Sequence, residues 1–86
     1  EVAVWGMGNY AMRLLASSDL TKCNIKFFVD KDLKKQGLKL NGITVESPTI
    51  LKNFKGVIVI CSAMFNSEII KEIKKMNLID YLVIYD

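Results

Sequence analysis

The run Gly6-Met7-Gly8-Asn9-Tyr10-Ala11 combines residue types and spacing suited to holding a phosphate-bearing ligand. It matches G-x-G-x-x-G/A. Gly6 lets the chain turn sharply out of a strand, and Gly8, lacking a side chain, lets a pyrophosphate approach the backbone. Ala11 is small enough for a helix to lie close on a sheet. The start of that helix, at Asn9 and Tyr10, offers unpaired N–H groups and a positive dipole end to an anion. Asp30 follows about twenty residues on, where a ribose-binding carboxylate belongs. A carboxylate there repels a 2′-phosphate, so an unphosphorylated adenosine ligand is expected over an NADP-type one. Cys61-Ser62-Ala63 closes a later strand on the opposite wall of the crevice. Small residues there leave room, and Ser62 can hydrogen-bond a ligand. The expected ligand-binding set is therefore Gly6, Met7, Gly8, Asn9, Tyr10, Asp30, Cys61, Ser62 and Ala63.

Each of these residues has a plainer use. Any tight strand-to-helix unit needs a glycine turn, Met7 is bulky, and the third glycine is replaced by Ala11. Asp30-Lys31-Asp32 also suits a polar strand exit. The chain has no His, which removes Cys-His dyads, Ser-His-Asp triads and His-ligated metals. Cys61 then lacks a base, so no catalytic residue and no metal site are assigned. Trp5, Tyr10 and Phe65 can line a crevice but are expected to pack.

The elements that must position the turn follow from the pattern. Val2 to Trp5 is a short apolar run stopped by Gly6, as in a strand buried on both faces. Asn9 to Ser17 carries apolar residues at helical spacing. Ile25 to Val29 is a second strand, and Lys31 to Lys39 a lysine-rich loop. Asn41-Gly42 between alternating apolar residues signals a turn, with a small hairpin possible, and Ile43 to Val45 a short strand. Ser47-Pro48 starts a helix expected to reach Phe54. Val57 to Cys61 is the most hydrophobic stretch, and its β-branched residues suit a central strand. A helix from Asn66 or Ser67 to Met76 puts Ile69, Ile70, Ile73 and Met76 on one face. Tyr81 to Tyr85 is a last strand. Alternation of strands and helices predicts an α/β fold, a Rossmann-like open parallel sheet of about five strands with helices on both faces. Right-handed crossovers favour the order 3-2-1-4-5, with ligands beyond the strand ends at the switch point.

Eighty-six residues make one domain, and 51% hydrophobic with 24% charged residues is a globular composition. The strand-like ends suggest a domain excised from a longer polypeptide. No apolar run approaches a membrane span, and no signal peptide is legible. The net charge of +3 comes from lysines. They fall in two groups, Lys31, Lys34, Lys35 and Lys39, and Lys71, Lys74 and Lys75, read as solvated surface. Without interleaved aromatics they do not point to nucleic acid. Two cysteines without a CxxC suit a reducing, cytoplasmic setting.

Val4-Trp5-Gly6-Met7-Gly8-Asn9, Phe28-Val29-Asp30, Lys35-Gln36-Gly37, Asn41-Gly42-Ile43-Thr44-Val45, Ser47-Pro48 and Glu68-Ile69 occur in that order. With these, the sequence resembles Rossmann-like accessory domains of bacterial sugar-modifying and polysaccharide-biosynthesis enzymes. It is similar to the C-terminal domain of sugar C-methyltransferases and to nucleotide-binding domains of sugar acetyltransferases. The resemblance implies an additional transferase domain in the parent chain and a ligand such as NAD or a nucleotide-sugar near Gly6, Gly8 and Asp30. The turn is poorer in glycine than an S-adenosylmethionine site, so that cofactor is not assigned. Two alternatives stand beside this: a structural or oligomerisation domain that would form a homo-oligomer, and a fragment of an NAD-dependent oxidoreductase. The latter would take its chemistry from outside the chain, because no Tyr-x-x-x-Lys is present.

Overall fold

The computed structural model describes residues 1–17, 22–61, 66–78 and 80–83. The elements run β1 (Val2–Trp5), α1 (Asn9–Ser17), β2 (Ile25–Val29), β3 (Lys39–Leu40), β4 (Ile43–Glu46), a 3₁₀ turn (Pro48–Leu51), β5 (Val57–Ile60), α2 (Asn66–Lys75) and β6 (Tyr81–Val83). They form one sheet in the order β3-β4-β2-β1-β5-β6. Every pairing is parallel except β3 with β4. The five parallel strands take the expected order 3-2-1-4-5, and the hairpin strand β3 adds a sixth at one edge.

Side chains alternate across the sheet, as the two-residue period requires. Ala3, Trp5, Val29, Ile58 and Ile60 face one way and pack with Leu51, Ile69 and Ile73, beneath α2 and the 3₁₀ turn. Val4, Phe28, Val45, Val59 and Cys61 face the other way and pack with Met7 and Ala11, beneath α1. Both faces of β1 and β5 are thus covered, which is why these strands are apolar throughout rather than alternating. Trp5 is in the core.

Local chemistry ends each element where the chain must turn. Asn41 and Gly42 both have positive φ, 53° and 79°, the conformation of the tight turn that matches the twist of a two-stranded hairpin. Asn77 (φ 58°) ends α2 in the left-handed conformation. Its N–H bonds the Lys74 carbonyl at 3.1 Å, and the Leu78 N–H bonds that of Ile73 at 3.1 Å, closing the helix in a Schellman motif. Glu68 in the first turn and Lys74 and Lys75 in the last suit the α2 dipole.

The helix expected from Pro48 to Phe54 is shorter. It is a single 3₁₀ turn, because the chain takes a positive φ of 69° at Asn53 and must return to the start of β5. The Ser47 hydroxyl accepts the Thr49 N–H, as expected of a cap. Ser62, Ala63, Met64, Phe65 and Tyr85 lie outside the described residues. Among the described residues no helix is long and apolar enough to cross a membrane.

Candidate functional site

Parallel pairing brings three strand ends to one level. Trp5 lies beside Val29 on one side and Ile60 on the other. The next residues, Gly6, Asp30 and Cys61, therefore emerge together. The Gly6 N–H bonds the Val29 carbonyl at 2.9 Å, and the Cys61 N–H bonds that of Trp5 at 2.8 Å. This is where the crossovers diverge to opposite faces of the sheet, the place at which open α/β sheets take their ligands.

Gly6 and Gly8 do different work in the turn. Gly6 has φ 103°, which side chains rarely tolerate. Gly8 has no positive φ, and a Cβ added there would meet only the Lys35 Nζ, 4.0 Å away. The backbone at Gly8 is open on that side, as approach by a ligand requires. The Gly8 carbonyl accepts the Met12 N–H at 3.2 Å and so begins α1. Helix geometry then leaves the N–H groups of Asn9, Tyr10 and Ala11 without an intrahelical acceptor. Only the backbone of Asn9 and Tyr10 is described. Ala11 is fully buried, giving α1 its close approach to the sheet.

Met7 is turned inward. It is 5% exposed and packs among Val4, Ala11, Phe28 and Cys61, so its side chain anchors the turn from below. Both polar groups of its backbone are engaged by side chains. Its N–H donates to Asp30 Oδ2 at 2.8 Å, and its carbonyl accepts from Lys35 Nζ at 3.1 Å. The other Asp30 oxygen accepts the Asp32 N–H at 2.8 Å. Asp30 is thus drawn against the glycine turn, and its carboxylate oxygens, each with two acceptor sites, retain capacity for a hydroxyl.

Cys61 reaches the level of the crevice but points its thiol into the core under α1, 1% exposed. Burial pushes the thiol pKa up to about 11, so it stays protonated near neutrality and is no nucleophile. Only its backbone can serve a ligand.

Two residues read from sequence as loop and surface join this site. Lys35 reaches back to the Met7 carbonyl, and Gln36 Nε2 donates to the Asp30 carbonyl at 2.9 Å. The signal for them was Asp32: its side chain accepts the Lys34 N–H and its carbonyl the Lys35 N–H. An Asp three residues before a Lys can fold the loop back in this way. Lys31 is not free surface either. Its ammonium lies 3.0 Å from Glu72 Oε1, joining the exit of β2 to α2. The hydrogen bond and charge of Lys31 hold the Glu72 carboxyl below its ordinary range.

A separate groove of about 560 Å³ is lined by Lys52, Phe54, Lys55, Lys75, Met76 and Leu78, among others. It sits by the amino ends of β5 and β6, away from the glycine turn, and so lies on the side where α/β sheets do not hold their ligands.

Strand order, glycine turn and two-sided helical cover define a Rossmann-like domain. The chain belongs to the C2185-like N-terminal family, whose model matches residues 1–84. UDP-D-quinovosamine 4-dehydrogenase from Vibrio fischeri has a similar structure. Its TM-score is 0.73 at 22% identity, over 99% of this chain and 77% of that one. RSP, a Rex-family repressor, gives 0.74 at 15% identity, over 98% of this chain and 44% of that one. RSP in complex with β-NADH gives 0.66 at 18% identity, over 99% of this chain and 46% of that one. At these identities the likeness is one of fold. No curated protein sequence matches the chain.

Proposed function

We propose that this domain binds a nucleotide-type ligand, NAD or a nucleotide-sugar, with its diphosphate over Gly8 and a ribose toward Asp30. The observation that carries the reading is the open backbone at Gly8, at the start of α1 and level with the end of β2. The amides of Asn9 and Tyr10 would receive the phosphate. The repressor RSP is seen with β-NADH, and the Vibrio fischeri neighbour is named for a UDP-sugar. Both ligands carry the diphosphate this turn suits. The domain would serve a longer bacterial protein of carbohydrate or cell-surface polysaccharide biosynthesis, whose reaction, a methyl, glycosyl or acyl transfer, belongs to another domain.

Thermal unfolding with NAD, UDP-sugars, coenzyme A and S-adenosylmethionine tests this. A rise with NAD or a UDP-sugar, abolished by Gly8→Val, is expected. A rise that survives Gly8→Val places the ligand elsewhere. Circular dichroism of the variant checks that it folds.

One observation favours a second reading, a scaffold without ligand. Asp30 and Lys35 already satisfy both polar groups of the Met7 backbone, so the turn is held together from within. A chain that shows no shift with any of the four ligands would be this scaffold.

A further inference from the structure

We propose that Lys35 is the cation that reads phosphate charge at the glycine turn, so that the site selects nucleotides by their diphosphate. The inference rests on reading the turn as a nucleotide site and adds the residue that sets its preference.

Lys35 lies in the loop after β2, yet its ammonium sits 4.0 Å from the point where a Gly8 Cβ would stand. That is the space a phosphate oxygen would enter. The lysine is delivered there by an anchored turn. Its N–H bonds the Asp32 carbonyl at 2.9 Å, Gln36 Nε2 bonds the Asp30 carbonyl at 2.9 Å, and the Gly37 N–H bonds the Val45 carbonyl at 2.8 Å. The side chain itself is partly buried. Its stem has therefore already lost part of the freedom that a surface lysine would give up on binding.

Charge decides the role. The Met7 carbonyl takes one of the three donors an ammonium carries. A phosphate oxygen over Gly8 comes within reach of the same group, and an N–H···O bond between opposite charges is shorter and about twice as strong as a neutral one. Asp30 holds the N–H side of the Met7 residue while Lys35 holds its carbonyl. Negative and positive charge are thus set on either side of one turn. A diphosphate is directed to the lysine, and uncharged hydroxyls to the carboxylate.

The test compares ADP and UDP with adenosine and uridine by NMR chemical-shift titration, on the unaltered chain, Lys35→Met, Lys35→Gln, Lys35→Arg and Gly8→Val. Losing one charge-assisted hydrogen bond should weaken diphosphate binding about ten- to a hundredfold in Lys35→Met. Nucleoside binding should stay within about twofold, because no phosphate contact is removed. Lys35→Gln keeps an N–H donor without the charge and should behave like Lys35→Met, whereas Lys35→Arg should keep most of the affinity. Diphosphates and nucleosides weakened alike would mean that Lys35 only shapes the turn through Met7. No change in either would remove it from the site. Both results overturn this inference while leaving the nucleotide site in place, provided Gly8→Val still abolishes binding. Failure of the unaltered chain to bind any of the four, or binding that survives Gly8→Val, overturns both.

Discussion

Asp30 joins stability to recognition through one carboxylate. It accepts the N–H groups of Met7 and Asp32, each at 2.8 Å. Asp30→Ala leaves the Met7 N–H, in a residue 5% exposed, without its acceptor. Urea denaturation should show a loss of about 1–3 kcal/mol with no ligand present. Asp30→Asn keeps one acceptor oxygen and should lose less. Weaker nucleotide binding by Asp30→Ala is therefore evidence of a ribose contact only beyond that loss of folded protein. The two glycines are also distinct at this scale. Gly6 answers a backbone demand, φ 103°, whereas Gly8 answers a demand for space.

At the scale of elements, helix ends fix the paths of the connections. Asn77 carries the left-handed residue that closes α2, and Leu78 then returns to the core beside Ile73. Asn77→Ala places a Cβ-bearing residue without a local polar side chain at φ 58°, at a cost of about 1–2 kcal/mol. Asn77→Gly removes that strain and should be neutral or stabilising. Chemical denaturation midpoints of the two variants should fall on opposite sides of, or at, that of the unaltered chain. The element most altered by its surroundings is the stretch after Pro48. Ser47-Pro48 suits a helix start by its local chemistry, a capping hydroxyl followed by a fixed φ. The return to β5 then cuts it to one 3₁₀ turn whose Leu51 is fully buried.

For the whole molecule, ligand binding and folding are one equilibrium. An 86-residue domain is only marginally stable, so a ligand that binds the folded chain alone shifts its melting visibly. At a hundredfold excess over Kd the gain is about 2.7 kcal/mol. For a chain of this size that is a rise in Tm of roughly 10–20 °C. A smaller rise at saturating nucleotide, with Kd measured separately by calorimetry, would show that the ligand also binds the unfolded chain. Both helical layers should melt together, because the strands β1 and β5 supply core residues to both faces.

Period and punctuation were enough to determine the order of the elements in this protein. The apolar runs at β1 and β5, the helical spacing of α1 and α2 and the Asn41-Gly42 turn follow from local rules, and the handedness of the crossovers then favours the strand order. The glycine turn and Asp30 were legible for the same reason: their chemistry is tied to spacing along the chain. Side-chain direction was not. Which way Met7 and Cys61 point, and whether Lys35 lies in solvent or over the turn, depends on pairings between residues distant in sequence. A lysine in a polar loop looks the same in both cases. Only the folded sheet, by bringing the ends of β1 and β2 to one level, puts the loop after β2 within reach of the turn after β1.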